Sequence, residues 1–207
     1  MLRQKKNKKL VIGVTGIFGS GKSTVSGMLK SYGLKIIDAD KIAHRYLLPG
    51  TRTYKKILAY FGKGILKEDN KIDRKKLGKL VFDNQELLRK LNSIVHPKII
   101  DDISEGIRKS KEKIVVLDAP LLLESGLRKI VDDLIVVIIN RDELIRRLAK
   151  RTALKRREIL KRVKFQIPQK TKSRFANFII DNSGTVSETK RQVKRVMKKI
   201  EEGMWRN

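Results

Sequence analysis

The chain has 207 residues, a formal net charge of +28 and no cysteine. This length suffices for a compact domain with a buried core, and the lack of cysteine excludes disulfides, thiol catalysis and cysteine-ligated zinc. The charge favours anionic partners such as nucleotides, but aromatic residues form only 5% of the chain, so no specific nucleic acid partner is expected. No apolar run is long enough to span a bilayer and no secretory signal is evident, so we expect a cytoplasmic protein without a membrane partner.

A glycine-rich loop follows the first predicted strand. Residues 16–23 read G-I-F-G-S-G-K-S, the pattern G-x-x-x-x-G-K-[ST], and the apolar run 10–14 precedes them. Backbone N–H groups of such a loop, with the positive end of the helix that follows, bind phosphate oxygens. Lys22 is predicted to reach the β- and γ-phosphates, and the Ser23 hydroxyl to ligate Mg²⁺. Because both flanks are present, a nucleoside triphosphate site is favoured over a chance glycine turn.

Four further apolar runs predict strands that alternate with helices in an open α/β sheet. They lie at 34–37, 114–117, 134–139 and 178–180. Each is short, rich in β-branched residues and nearly continuous, as in strands covered on both faces. Polar residues follow their carboxyl ends, where such sheets bind ligands. A last helix over 186–202 is expected to pack on the core.

The segment 45–111 is predicted to be a helical insertion that binds the acceptor substrate. Its first helix carries Tyr54, Ile57, Leu58 and Phe61 on one face. Asp73 is predicted to cap the next helix. The letters N-K-I-D at 70–73 spell a guanine-binding motif, but they follow a polar connection rather than a buried strand. We therefore interpret them as a turn and a helix cap.

Two more helix boundaries are predicted within this insertion. Asp83 and Glu86 form a capping-box-like start. The dipeptide at 96–97, His-Pro, is predicted to break that helix and to begin another, which ends at about Lys109. A histidine in this position is more often structural than catalytic.

A second insertion, 141–172, is rich in lysine and arginine and is predicted to form a basic lid. Arg147 and Arg151 are four residues apart and share a helix face, so they are candidates to fold over the triphosphate. An arginine at the transferring phosphate contributes about 10³–10⁵ in rate. A solvated basic helix is the alternative. The predicted core then consists of 10–44, 112–140 and 173–207.

Acidic residues at two strand ends are candidates for catalysis. If the chain stays extended after the second strand, Asp38 and Asp40 point the same way. One carboxylate then accepts a proton from the acceptor hydroxyl, and the other holds a metal-bound water or caps the next helix. Alternatively, both residues simply start a helix, where aspartate is favoured. Asp118 has the placement of a Walker B acid, or of an aspartate that satisfies a turn.

Together, these features resemble the dephospho-coenzyme A kinase family over about residues 11–184, nearly the whole chain. The blocks that carry the resemblance are V-T-G-I-F-G-S-G-K-S-T-V at 14–25, I-I-D-A-D-K-I-A-H at 36–44, I-D-R-K-K-L at 72–77, H-P at 96–97, A-P-L-L-L-E-S-G at 119–126, Arg147 with Arg151, and I-D-N-S-G at 180–184. The combination of D-A-D, H-P and P-L-L-x-E is far more specific than the phosphate loop.

The resemblance implies a P-loop NTPase fold: a five-stranded parallel sheet flanked by helices, with a helical acceptor-binding insertion and a helical lid. It also implies ATP and Mg²⁺, with transfer of the γ-phosphoryl group to the ribose 3′-hydroxyl of dephospho-coenzyme A, the last step of coenzyme A synthesis. By similarity, Asp40 is the general base, and Lys22 and Arg147 contact the transferring phosphate.

The expected site then falls into three sets. The residues expected to bind ATP are Gly16, Ile17, Phe18, Gly19, Ser20, Gly21, Lys22, Ser23, Thr24, Arg151 and Asn182. The residues expected to bind the acceptor are Asp38, Arg74, His96, Pro120, Leu121 and Glu124. The expected metal ligands are Ser23 and Asp118.

Two residues depart from the family pattern. Ile17 stands where the family usually has glycine, and a β-branched side chain restricts the backbone there. Asn177 stands where the family commonly has an acidic residue. The alternatives are another small-molecule or nucleoside monophosphate kinase and, from another class, a nucleic-acid-binding NTPase with steeply salt-dependent binding. A monomer is expected.

Overall fold

The computed structural model describes residues 9–82, 84–151 and 156–204. The chain divides into two compact units: unit 1 comprises residues 1–37 and 110–207, and unit 2 comprises residues 38–109. The helices are α1 (Lys22–Ser31), α2 (Ala39–Tyr46), α3 (Arg52–Phe61), α4 (Arg74–Phe82), α5 (Gln85–Lys109), α6 (Arg141–Arg151), α7 (Arg156–Lys164), α8 (Gln169–Ser173) and α9 (Val186–Met204). None of the helices in these ranges is both long and apolar enough to cross a membrane.

The five predicted strands are confirmed and form one sheet. They are β1 (Leu10–Gly16), β2 (Lys35–Asp38), β3 (Ile114–Asp118), β4 (Asp133–Ile138) and β5 (Phe178–Asp181), in the spatial order β2-β3-β1-β4-β5. Parallel ladders join β1 to β3, β1 to β4 and β4 to β5. In this register Val14 pairs with Asp118, so the carboxyl end of β3 lies beside the start of the phosphate loop.

The core of unit 1 lies between the central strands and two helices. Val14 on β1, Leu29 on α1 and Val193 on α9 are fully buried in one apolar cluster. Ile200 continues the same stripe of α9, which confirms the predicted packing role of the last helix. The strands are nearly continuous apolar runs because helices cover the sheet on both faces.

Unit 2 is built from helices whose starts are fixed by side-chain caps. The hydroxyl of Thr51 accepts from the backbone N–H of Tyr54, and the carboxylate of Asp73 accepts from the first turn of α4. Asn70 has a positive φ of 58°, so the interpretation of 70–73 as a turn and a cap is confirmed. The cap of α5 is Asn84, which accepts from two N–H groups of its first turn. The predicted cap Asp83 lies outside the described residues.

The predicted break at His96–Pro97 is wrong, because α5 runs continuously from Gln85 to Lys109 with Pro97 inside it. A proline inside a helix costs about 3 kcal/mol, since it removes one hydrogen bond and crowds the preceding turn. Val95, Ile99 and Ile103 are buried on both sides of the proline. Burial stabilises such side chains by about 1.5–3 kcal/mol each. The three together therefore outweigh the cost of the proline.

Candidate active site

The phosphate loop joins β1 to α1 and has two glycines in a conformation that other residues rarely adopt. Gly19 and Gly21 have φ of 82° and 84°, in the left-handed region. A Cβ on Gly19 would lie 2.6 Å from Cδ1 of Leu148, and one on Gly21 would overlap the Asn182 amide. Gly21 precedes the first turn of α1 without a side-chain cap. The N–H groups at this end of α1 are therefore oriented for an anion.

Lys22 and Asp118 are brought together from distant parts of the sequence. The Lys22 ammonium donates to the carboxylate of Asp118, and their side chains are only 16% and 9% exposed. Ser23 lies next to Lys22 on the first turn of α1 and is exposed. The pair keeps a cation and a carboxylate at the mouth of the phosphate loop, where a triphosphate would compete for the cation and a metal for the carboxylate.

Asn182 links the phosphate loop to the turn between β5 and α9. Its side-chain amide donates to the carbonyl of Ser20 at 2.8 Å and accepts from the Thr189 hydroxyl at 2.9 Å. The residue is 4% exposed. Both ends of this amide are thus engaged in holding the loop, and its predicted contact with adenine stays a prediction.

Arg147 binds the same turn from α6. Its guanidinium donates to the carbonyls of Asn182 and Gly184, both at 2.8 Å, and to the carboxylate of Glu143. Arg146 and, secondarily, Arg147 lower the pKa of Glu143 to about 2, so Glu143 is ionised at neutral pH. A contact of Arg147 with the transferring phosphate would require it to exchange these partners. The side chain of Arg151 lies outside the described residues.

Ile17 packs into an apolar cluster under the phosphate loop. It is 8% exposed and lies with Leu144 and Leu148 of α6 and Ile159 of α7. In the described residues, Asn70 is the only residue other than glycine with positive φ, so Ile17 lies outside the left-handed region. The β-branched residue therefore fits the loop and fixes it to the basic segment. Sequence reasoning missed this role because the predicted lid was assessed by its charges alone.

The predicted acceptor loop after β3 is anchored by residues that the sequence did not single out. The carbonyl of Pro120 accepts from the Thr15 hydroxyl at 3.0 Å and from the Lys172 ammonium at 2.8 Å. The carboxylate of Glu124 accepts from Lys172 and from the backbone N–H of Ile167. Leu121 is 45% exposed. Lys172 occurs in a lysine-rich stretch, so no sequence signal distinguishes it from its neighbours.

Gln166 contacts the phosphate loop directly. Its side-chain carbonyl accepts from the backbone N–H of Phe18 at 2.6 Å. Three residues further on, the Gln169 side chain makes two hydrogen bonds to the backbone of Ile139 at the end of β4. The end of the segment 141–172 is therefore attached to the phosphate loop and to the end of β4 by polar side chains. Closure of a lid over ATP stays a prediction.

The chain does not stay extended beyond Asp38, the last residue of β2. Asp38 is the N-cap of α2 and accepts from the N–H of Lys41 at 3.0 Å, and α2 begins at Ala39. Asp40 is an exposed residue in the first turn of α2. The expectation that their side chains point the same way is wrong, because the chain turns into a helix between them. Both aspartates lie at the start of α2, which leaves the Asp40 carboxylate at the positive end of that helix. The choice between a catalytic role and a helix start alone stays a prediction.

The other predicted acceptor residues of unit 2 lie on α4 and α5. Arg74 is exposed at the first position of α4, and His96 is half-buried on α5. Burial lowers the pKa of His96 below its usual 6.5, which favours the neutral imidazole at pH 7.

A groove between α3 and α5 adds a set of cations to unit 2. It encloses about 630 Å³, and its lining includes Arg52, Lys56, Lys90 and Lys98. The Lys90 ammonium lies 5.1 Å from the centre of the Tyr60 ring, within the range of a cation–π interaction. This lining suits a ligand that carries phosphate.

Comparison with known proteins identifies the family. The sequence model of the dephospho-CoA kinase family matches residues 10–188. The dephospho-CoA kinase of Carboxydothermus hydrogenoformans is 44% identical over 192 residues, which cover 91% of this chain and 93% of that protein. The solved dephospho-CoA kinase of Campylobacter jejuni is 32% identical, with a TM-score of 0.67 and coverage of 93% of this chain and 98% of its own. A solved Thermus thermophilus protein is 30% identical, with a TM-score of 0.82 and coverage of 92% and 97%. With its P-loop kinase fold and phosphate loop, this chain belongs to the dephospho-CoA kinase family.

Proposed function

We propose that this protein transfers the γ-phosphoryl group of ATP to the ribose 3′-hydroxyl of dephospho-coenzyme A, giving coenzyme A and ADP. Membership of the family supports the kinase reaction and both substrates. The observation that carries the proposal is the phosphate loop with glycines at its left-handed positions, an uncapped helix start and the Lys22–Asp118 pair beside it.

The nucleotide is held by residues 16–24. Their backbone N–H groups and the Lys22 ammonium neutralise the triphosphate, and Lys22 exchanges Asp118 for a phosphate oxygen when ATP binds. Arg147 leaves its carbonyl partners and joins Lys22 on the transferring phosphate. Arg151 adds a further cation. Charge stabilisation of this kind supplies most of the catalysis in phosphoryl transfer, because the transition state spreads charge over the equatorial oxygens.

The donor set at the loop fits a magnesium ion. Mg²⁺ prefers oxygen ligands and is usually held by one or two protein groups, with phosphates and waters completing the shell. The Ser23 hydroxyl and the Asp118 carboxylate are oxygen ligands of that kind, and Asp118 is fixed at the end of β3. When bound, the ion neutralises charge on the transferring phosphate. No cluster of three or more histidine, aspartate or glutamate side chains suited to a metal occurs in the described ranges.

On the acceptor side, Asp40 is the general base that accepts the proton of the 3′-hydroxyl. A base in this role contributes about 10²–10⁴ in rate. Asp38 supports it by capping α2, while Arg74, His96 and the loop of Pro120, Leu121 and Glu124 bind the acceptor.

The cations of the α3–α5 groove suit the diphosphate of dephospho-coenzyme A, because a phosphate oxygen accepts strong charge-assisted hydrogen bonds from Lys and Arg. A monomeric state and a cytoplasmic location complete the proposal.

The proposal is tested by supplying ATP, Mg²⁺ and one acceptor at a time to the purified protein. Dephospho-coenzyme A is expected to gain one phosphate by mass, and ³¹P NMR is expected to locate it on the 3′-oxygen. The nucleoside monophosphates and a Lys22→Ala variant serve as controls without product. Phosphorylation of a monophosphate alone, or of another oxygen of dephospho-coenzyme A, would overturn the proposal.

A further inference from the structure

Lys172 is a fully buried lysine on the short helix α8. Its side chain is 0% exposed, and its ammonium donates to the Pro120 carbonyl at 2.8 Å and to the Glu124 carboxylate at 2.9 Å. Its neighbour Lys170, on the same helix, is exposed. A buried ammonium is costly unless it is paired and hydrogen-bonded, so these contacts are what keeps it in place.

Both partners of Lys172 belong to one loop, residues 120–124, which follows Asp118. The loop receives a second bond to Pro120 from Thr15 and a second bond to Glu124 from the backbone N–H of Ile167 at 2.9 Å. Lys172 is the one side chain among these contacts that reaches both ends of the loop. Burial lowers the pKa of Lys172 below its usual value, and the hydrogen bond and charge of Glu124 oppose that shift only in part.

The hydrogen bonds of Lys172 are made to the 120–124 loop rather than to the phosphate loop. The phosphate loop has its own anchors, since Asn182 holds Ser20 and Gln166 holds Phe18. Loss of the Lys172 contacts would therefore loosen the 120–124 loop, which keeps its bonds from Thr15 and Ile167, and leave the phosphate loop attached.

We propose that Lys172 is a positioning residue that sets the shape of the 120–124 loop for the acceptor, acting through the Pro120 carbonyl and the Glu124 carboxylate without touching substrate. The inference rests on the proposed function for the identity of the acceptor. Glu124, besides its proposed place in the acceptor loop, supports the loop through the bonds that its carboxylate accepts from Lys172 and Ile167.

The test compares Lys172→Met, which keeps the length of the side chain and removes the charge, with Lys170→Met on the exposed side of α8. We expect Lys172→Met to raise the KM for dephospho-coenzyme A about tenfold or more, because two charge-assisted contacts are lost. Its Kd for ATP is expected to stay within about twofold, and Lys170→Met is expected to match the unaltered enzyme in both. A merely structural role would lower the active fraction, and hence kcat, and would leave the KM for dephospho-coenzyme A and the Kd for ATP unchanged. That result overturns the proposal.

Amide hydrogen exchange provides a readout that does not require catalysis. In Lys172→Met the amides of Leu122 and Ser125 are expected to exchange about tenfold faster, while that of Ser20 keeps its wild-type rate. Unchanged exchange at Leu122 and Ser125 overturns the proposal. If the unaltered enzyme fails to phosphorylate dephospho-coenzyme A, the proposed function fails, but the exchange result still decides the role of Lys172.

A second variant covers the case in which Lys172→Met does not fold. Lys172→Arg keeps the positive charge beside Glu124 and changes the reach of the donors. It is expected to raise the KM for the acceptor by a smaller factor and to leave ATP binding intact. A loss of ATP binding equal to the loss of acceptor binding would overturn the proposal.

Discussion

The candidate residues of unit 1 and those of unit 2 are held in different ways. In unit 1, Lys22, Asp118 and Asn182 are largely buried and bound to partners far away in the sequence. In unit 2, Asp40 and Arg74 are exposed in the first turns of α2 and α4. The phosphate-binding residues are thus held in place without a ligand, whereas Asp40 and Arg74 are exposed charges at the ends of helices.

This difference has a physical reason. A triphosphate presents the same anionic tail in every turnover, so a rigid ring of N–H groups loses little entropy when it binds. An exposed carboxylate at a helix start is open to an acceptor hydroxyl, which suits a base that must take up a proton and release it again. Substitutions at the phosphate loop and its anchors should therefore affect structure and ATP binding, and those in unit 2 should affect turnover or the acceptor.

The largest expected effect is that of Lys22→Ala on phosphoryl transfer. Removal of a cation from the transferring phosphate should lower kcat/KM by about 10³- to 10⁵-fold. Asp118 then loses its partner in a mostly buried position, so a lower Tm is also expected. Steady-state kinetics and thermal melting measure the two effects, with Lys30→Ala on the exposed side of α1 as the control. An unchanged kcat/KM in Lys22→Ala would contradict the proposed contact of Lys22 with the transferring phosphate.

Asp40→Asn should act on turnover alone. The loss of the base is expected to lower kcat by about 10²- to 10⁴-fold, while the Kd for ATP, measured by titration calorimetry, and the Tm change little. Asp101→Asn, an exposed carboxylate on α5, is the control. A large loss of rate in Asp38→Asn, with near-normal turnover in Asp40→Asn, would transfer the role of base to Asp38.

Asn182→Ala should affect both stability and ATP, as expected for a residue that locks the loop. Removing the amide that donates to the buried Ser20 carbonyl costs about 1–3 kcal/mol. For a chain of this size each kcal/mol lowers the Tm by about 2–4 °C. The KM for ATP is expected to rise about tenfold and the KM for the acceptor to stay constant. Ser187→Ala, exposed on α9, is the control, and an unaltered Tm would contradict the locking role.

The groove of unit 2 is tested by the double variant Lys56→Ala/Lys90→Ala. If these cations bind the acceptor diphosphate, the KM for dephospho-coenzyme A should rise about three- to tenfold, and the rise should shrink at high salt. Lys75→Ala/Lys79→Ala removes the same charge from the exposed face of α4 and controls for net charge. An equal rise in the KM for dephospho-coenzyme A in the two double variants would show that only the overall charge matters.

The smallest effect is the pH dependence that His96 contributes to stability. Its folded pKa lies below the unfolded value of about 6.5, so the unfolded chain binds the proton more readily between the two. The contribution is fully present above about pH 6.5 and is lost as the pH falls towards the folded pKa. Urea unfolding measures the free energy of unfolding at pH 7.5 and at pH 5. The change in this free energy between the two pH values should be smaller for His96→Gln than for the control His44→Gln. An identical difference would contradict the burial of this imidazole.

The sequence predicted the phosphate loop, the five strands and the cap at Asp73, and it allowed Asp38 or Asp40 to start a helix. Each of these depends on neighbours within a few residues: glycine at left-handed positions, β-branched runs, and carboxylates that accept from N–H groups two or three residues on. It also identified Lys22 and Asp118, because the motif and the strand end restrict where their side chains lie.

Only the tertiary structure decided the rest. The sequence did not indicate that Lys172 would be buried against Glu124, that Asn182 would hold Ser20 across 162 positions, or that Ile17 would pack on α6. The continuous helix through Pro97 belongs to the same class, since the local cost of proline is offset by burial of Val95, Ile99 and Ile103. In each case the deciding energy comes from desolvation and packing between distant segments, which residue type and spacing do not encode.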